Sequence, residues 1–193
     1  MLAGMGLFAS PPQVLIDDAE GGIRYWPDFV AADIADAWFE ALRRDADWHS
    51  ESRPMYDRVV DVPRLLASYR TDALPPALPL AEILARVQAE VPAPYTGVGL
   101  NLYRDGHDSV AMHSDKLHTL VPGHPIALVS LGDPRRMRIR AKAGRREGLT
   151  VELDHGSLLA MSHASQVSHE HGIPKTTRPV GARISVVFRV RPR

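Results

Sequence analysis

From residue 97 onward the chain is a succession of short apolar runs, and that texture restricts the fold more than any other feature. The runs are VGLNLY (98–103), SVAMH (109–113), PIALVSL (125–131), RMRIR (136–140), LTVEL (149–153), SLLAM (157–161) and RISVVFRV (183–190). Several are rich in β-branched residues, and turn-forming residues separate them. Short strands at close spacing must bury one face against a second sheet, so a sandwich or barrel is expected. The first half reads differently. Residues 1–12 form a loose arm ending in Pro11-Pro12, VLIDD (14–18) a short strand, and GGIRYWPDF (21–29) a turn and a second strand. Ile34, Trp38 and Leu42, with Ala35 and Phe39 beside them, have helical spacing over 31–45. Asp33 and Asp36 near the start, and Arg43 and Arg44 near the end, suit the helix dipole. A polar and aromatic stretch with two prolines (51–70) reads as a hairpin or lid, and LAEILARVQAEV (80–91) as a second helix. The expected class is α+β. Residues 1–193 are taken as one domain, with helices and lid over 13–96 and a jelly-roll (double-stranded β-helix) core over 97–193.

Composition narrows the chemistry. The 193 residues contain no cysteine, so any metal must be held by histidine and carboxylate, a choice that suits iron, manganese or zinc. No run approaches the roughly eighteen apolar residues of a membrane span, and MLAGMGLFASPP lacks the charged start of a secretory signal. The cytoplasm is the expected compartment, with no membrane partner, and the expected state is a monomer. Net charge is zero but uneven. Residues 1–100 carry 8 Lys/Arg and 15 Asp/Glu, and residues 101–193 carry 15 and 8. One face is expected to be basic.

His113-Ser114-Asp115 closes the SVAMH strand. Positions i and i+2 of a strand point to the same side, so both side chains can reach one ion. A third ligand would complete the two-histidine, one-carboxylate set of non-haem iron(II) oxygenases, which leaves adjacent positions open. His155, His163, His169 and His171 are the candidates. His169 and His171 share a face if SQVSHEHGI is a strand, so periodicity does not separate them. With nine histidines in the chain, a His beside an Asp can equally be a surface pair, or hold a structural metal in a non-catalytic module.

Several segments together carry a family resemblance. NLYRDG (101–106), His113-Ser114-Asp115, PIALVSLG (125–132), GSLLAM (156–161), HGIPK (171–175) and RISVVFR (183–189) follow one another in order, and VDVPRLLASYR (60–70) precedes them. The series resembles the AlkB family of iron(II)- and 2-oxoglutarate-dependent dioxygenases. The resemblance implies Fe(II), 2-oxoglutarate and O2. It selects His171 as third ligand, because the family's distal histidine precedes the x-Ile-Pro-Lys run. It implies that Arg183 clamps the far carboxylate of 2-oxoglutarate, that Arg189 lies near the metal-side end, and that Asn101 and Tyr103 hydrogen-bond the co-substrate. Ser185 shares the Arg183 face and is counted with them. The implied activity is oxidative dealkylation of N-alkylated bases in DNA or RNA, with release of an aldehyde, succinate and CO2. The alternative is the same oxidation on a small molecule or a protein side chain.

On the substrate side, RPMYDRVVDVPR (53–64) stands where the family has a nucleotide-recognition hairpin. Met55 and Tyr56 could stack on a flipped base or form a local cluster, and Arg58, Arg64, Tyr69 and Lys116 complete the candidates. RRMRIRAKAGRR (135–146) has seven Lys/Arg in twelve residues. It reads either as a phosphate contact or as an edge strand guarded by charge. One departure from the family concerns the two positions just after the metal-binding Asp. Repair members usually place acids there, in the pattern (Asp/Lys)-(Asp/Glu), and this chain has Lys116 and Leu117, which leaves the lesion open: methylated base, exocyclic adduct, RNA or another molecule.

Overall fold

The structure is a computed structural model that describes residues 11–55, 58–143 and 148–192, with the side chains of 53–61 outside the description. The N-terminal half holds β1 (Gln13–Ile16), β2 (Ile23–Trp26), α1 (Ala32–Asp45), β3 (Ser52–Met55), β4 (Arg58–Asp61), β5 (Leu65–Arg70) and α2 (Leu80–Glu90). Next come β6 (Gly97–Tyr103), β7 (Val110–His113), a 3-10 turn at Leu117–Thr119, β8 (Ile126–Gly132), β9 (Arg135–Ala141) and β10 (Leu149–Leu153). The chain closes with β11 (Ser157–Met161), α3 (His163–Ser168), β12 (His169–Ile173) and β13 (Arg183–Arg189).

A seven-stranded sheet has the order β1-β2-β11-β8-β13-β6-β5, and a four-stranded sheet the order β10-β9-β12-β7. Strands β6 to β13 divide four to each sheet, with the chain crossing repeatedly between them. All the pairings are antiparallel, and this is the jelly roll expected from the sequence. β3 and β4 form a separate hairpin.

Two apolar layers hold the sheets. Ala35, Trp38 and Leu42 of α1 and Leu80, Ile83 and Val87 of α2 pack on the outer face of the large sheet. They meet Val129, Leu131, Ile184, Val186 and Phe188. The second layer lies between the sheets and includes Leu128, Met137, Ile139, Leu159, Ile173 and Val187. Each fully buried Leu, Ile or Phe contributes about 1.5–3 kcal/mol. β8 and β13 are therefore buried on both faces, which is why PIALVSL and RISVVF read as nearly continuous apolar runs. β9 alternates buried and exposed residues because its outer face meets water.

One stretch departs from the sequence reading. SQVSHEHGI was read as a possible strand, but residues 163–168 are helical and β12 starts only at His169. Ser162 causes this: its hydroxyl accepts the Ser165 N–H at 2.9 Å, an N-cap bond that starts a helix. Acids from the β1–β2 turn then hold that helix start. Asp18 accepts the Ser162 hydroxyl at 2.6 Å, and Glu20 accepts the Ala164 N–H at 2.7 Å.

Candidate metal and co-substrate site

His113 ends β7 and stands opposite His171 in the β12 pairing. The two rings are 4.6 Å apart, centroid to centroid. The ligand atoms of His113, Asp115 and His171 all lie within 4.8 Å of one another, the spacing one ion requires. Gly172 lets the strands meet here. A Cβ at Gly172 would stand 2.9 Å from the Val110 carbonyl oxygen, inside backbone that cannot move aside.

The electrostatics prepare all three groups as ligands. The Nδ1 of His113 donates to the Ala111 carbonyl at 2.9 Å, so Nε2 is the nitrogen left to face an ion. Burial, helped by the charge of His113, pushes the His171 imidazole down to about 4, leaving it neutral at pH 7. Burial alone would raise the Asp115 carboxyl. The charge and hydrogen bonds of Arg189, with a smaller electrostatic contribution from the two imidazoles, outweigh it, and the group is held below its ordinary value. Arg189 donates Nε to Asp115 at 2.5 Å and Nη2 at 3.2 Å.

Around the cluster runs a cavity of about 960 Å³. Its inner end is made by β13 and β6, where Arg183 pairs with Tyr103 and Ser185 with Asn101. Arg183 is 0% exposed. Its Nε donates to Ser130 Oγ at 2.9 Å and its guanidinium lies 5.3 Å from the Tyr103 ring centre. Nη1 and Nη2 have no hydrogen-bond partner among the described residues. Burial pushes this guanidinium down to about 10. A buried cation with two unpaired donors is costly unless a ligand completes it, and a carboxylate matches its fork. The donor set thus fits both implied groups: two imidazoles and a carboxylate for a divalent iron, and Arg183 for the far end of a dicarboxylate.

The remaining sequence candidates distribute unevenly. Asn101 donates Nδ2 to Ser185 Oγ at 3.2 Å and accepts Arg64 Nε at 2.8 Å, so Arg64 buttresses this wall of the cavity. Arg64 also donates Nη1 to the Ser109 carbonyl at 3.1 Å. Lys116 is exposed and lines the cavity. Tyr69 packs against the core beneath the large sheet, and its hydroxyl accepts the Asp47 N–H at 2.9 Å. Met55 and Arg58 pair at the end of the hairpin; their side chains and the whole of Tyr56 lie outside the described residues. His169 pairs with Ala141, away from His113.

The arginines that alternate about Met137 and Ile139 share one exposed face, and Arg135 departs from it. Arg135 is buried and donates to the carbonyls of Asp105, Asp108 and Pro174. Arg136, Arg138 and Arg140 lie on the outer face of the four-stranded sheet, while Met137 of the same strand lines the cavity. Arg136 pairs with Glu152, and Arg140 with Glu170. β9 is also an inner strand, with β10 and β12 on either side, and not an edge. Arg145 and Arg146 lie outside the described residues.

Sequence reasoning missed Gln166. It is buried, and its Oε1 accepts the Asp115 backbone N–H at 3.0 Å while its Nε2 contacts Met161 Sδ at 3.8 Å. Ser114 similarly donates to the His169 carbonyl at 2.7 Å. Both bonds depend on α3, which no periodicity announces.

Residues 22–189 match the model of the 2OG-Fe(II) oxygenase superfamily. Over 183 residues the chain is 30% identical to mouse alpha-ketoglutarate-dependent dioxygenase alkB homolog 3, a match covering 85% of this chain and 64% of the mouse protein. It is 28% identical over 177 residues to human DNA oxidative demethylase ALKBH2, covering 80% and 68%. The chain thus spans a little under two thirds of the length of the alkB homolog 3 protein it matches. The solved structure of OsALKBH1 superposes with a TM-score of 0.66 at 15% identity, covering 94% of this chain and all of that one, so the fold is shared. With this site inside that match, the chain belongs to the 2OG-Fe(II) oxygenase superfamily and, within it, to the AlkB family.

Proposed function

We propose that the protein is an iron(II)- and 2-oxoglutarate-dependent dioxygenase that removes N-alkyl groups from bases in DNA or RNA, acting as a single-domain monomer. The observation that carries this reading is the sealed, unpaired fork of Arg183 at the inner end of a cavity whose other landmark is the His113, Asp115 and His171 cluster. The relatives whose names denote a dioxygenase and a DNA demethylase direct the choice of substrate.

Bound there, iron(II) and 2-oxoglutarate supply the activation of O2 that an unreactive C–H bond requires. The protein's own part is positional. His113, Asp115 and His171 would hold the metal. Arg183 would take the far carboxylate of 2-oxoglutarate, with Tyr103, Asn101 and Ser185 on the same wall. Arg189 keeps Asp115 charged and oriented. The buried inner end excludes water from the co-substrate. In the overall balance one oxygen atom enters succinate and the other the substrate C–H bond. CO2 leaves, the resulting N-hydroxyalkyl group loses its C–N bond with its hydroxyl proton going to solvent, and the products are an aldehyde (formaldehyde for a methyl group) and the restored base. Among the described residues no helix is long and apolar enough to cross a membrane.

Anaerobic addition of Fe(II) and 2-oxoglutarate is expected to give a weak visible charge-transfer band that His171→Ala abolishes. Succinate formation is expected to rise with N-alkylated oligonucleotides and not with unmodified ones. A wild-type protein without the band overturns the metal reading. A protein with the band that no alkylated oligonucleotide stimulates overturns the substrate reading.

A further inference from the structure

The cavity wall carries five cationic side chains, Arg64, Lys116, Arg183, Arg189 and Arg191, against two carboxylates, Glu51 and Asp115. A divalent iron and the 2-oxoglutarate dianion cancel each other, so three positive charges remain in surplus. Asp115 is committed to Arg189 and to the metal, and Glu51 is itself engaged in an interaction. Lys116 and Arg191 are exposed, and neither side chain has a hydrogen-bond or ion-pair partner among the described residues. Of the two residues that follow Asp115, Lys116 reaches the cavity and Leu117 does not line it.

A ligand base entering here meets ammonium and guanidinium donors and a surplus of positive charge. N1-alkylated adenine and N3-alkylated cytosine are cations whose pairing edge offers an amino donor, and both properties oppose this wall. N3-alkylated thymine or uracil and N1-alkylated guanine are neutral, and the alkylated nitrogen is flanked by two carbonyl oxygens in the pyrimidines and by one, O6, in guanine. Their chemistry adds a second requirement. When the N–CH2OH group of a neutral base breaks its C–N bond, the electron pair stays on the ring nitrogen and spreads onto the flanking carbonyl oxygen. The hydroxyl proton goes to solvent, and water later reprotonates the nitrogen. A cationic base leaves as a neutral ring and builds up no such charge.

We propose that Lys116, in a cavity with surplus positive charge, selects neutral N-alkylated bases with a carbonyl pairing edge over cationic N-alkylated bases. This rests on the dealkylation reading above and makes Lys116 a specificity-determining residue.

The test is a matched panel of oligonucleotides carrying N3-methylthymine, N1-methylguanine, N1-methyladenine or N3-methylcytosine in one sequence context. The ratio of kcat/KM for succinate and formaldehyde formation is expected to favour the neutral class by about tenfold or more. Fluorescence anisotropy with Mn(II) in place of Fe(II) should show the same order of affinity. Lys116→Glu is expected to move the ratio by about tenfold toward the cationic class, with the anaerobic Fe(II)–2-oxoglutarate band confirming that the site still assembles. If that band is lost, Lys116→Met decides, with a smaller shift of the same sign expected. Preference of the wild type for the cationic class, or a ratio unmoved by the deciding variant, overturns the selection while base dealkylation stands. If no oligonucleotide of either class is oxidised by protein that shows the band, the dealkylation reading fails, and this one with it.

Discussion

The two ends of the cavity are built on opposite principles. The inner end is made of Arg183, Ser185 and Tyr103, all buried, on strands packed between the helices and the second sheet. The outer end is made of Lys116 and Arg191, both exposed and both outside the strands. A small ligand of fixed shape can be met by groups locked in advance, which lowers the ordering cost of binding. A polymer substrate must enter from solvent and requires a rim that admits it. The difference teaches where affinity is preorganised and where selectivity can be adjusted.

The strongest way to break the comparison is Arg183→Met. Loss of the clamp should raise the KM for 2-oxoglutarate by about a hundredfold or more, the usual scale for removing one partner of a buried charged pair. Without the co-substrate the variant should be more stable than wild type by about 1–3 kcal/mol, because an unpartnered buried charge is gone. Urea unfolding with and without 2-oxoglutarate checks both signs; a variant that is destabilised without ligand would show that the fork is not under strain. Between the two ends stands Gln166. Gln166→Ala should lower metal affinity by about tenfold, the lower bound for losing a group that orients a ligand, with little change in overall stability. A competition titration with a metal-sensitive dye reads this directly. The smallest effect is expected outside the cavity altogether. Arg138→Glu on the outer face of the four-stranded sheet should change oligonucleotide affinity by less than about twofold. Arg191→Ala should lower the salt dependence by about one phosphate contact. Equal effects from the two would place nucleic acid on the sheet face as well.

The same division explains what could be read from sequence. RISVVFR and NLYRDG lie on long paired strands, so the i, i+2 rule correctly brings Arg183, Ser185, Asn101 and Tyr103 to one face. His113 and Asp115 do come together, but β7 ends at His113, so strand alternation does not by itself place Asp115. The third histidine did not follow from spacing, since β12 contains both His169 and His171. What separates them is pairing across sequence, His171 against His113 and His169 against Ala141, and no local pattern reports it. Arg135 was legible only as one more charge in a basic run, although it is a buried tie between loops. Gln166 was hidden because a single serine cap turned an apparent strand into a helix. Lys116 and Arg191 at the rim lie outside helices and strands, where periodicity has nothing to say.

β13 is at once a keystone and a wall. Ile184, Val186 and Phe188 fix the helices to the large sheet, and Arg183, Ser185 and Arg189 on the opposite face line the cavity, with Arg189 on Asp115. A slip of one residue would exchange the two sets. In evolutionary terms such a strand has almost no freedom to drift, because any change that relaxes the core is felt one peptide bond away at the reaction site. The hairpin and the residues after Asp115 carry no such double duty. New substrates can be acquired there, one surface side chain at a time, while the oxidative machinery is inherited unchanged.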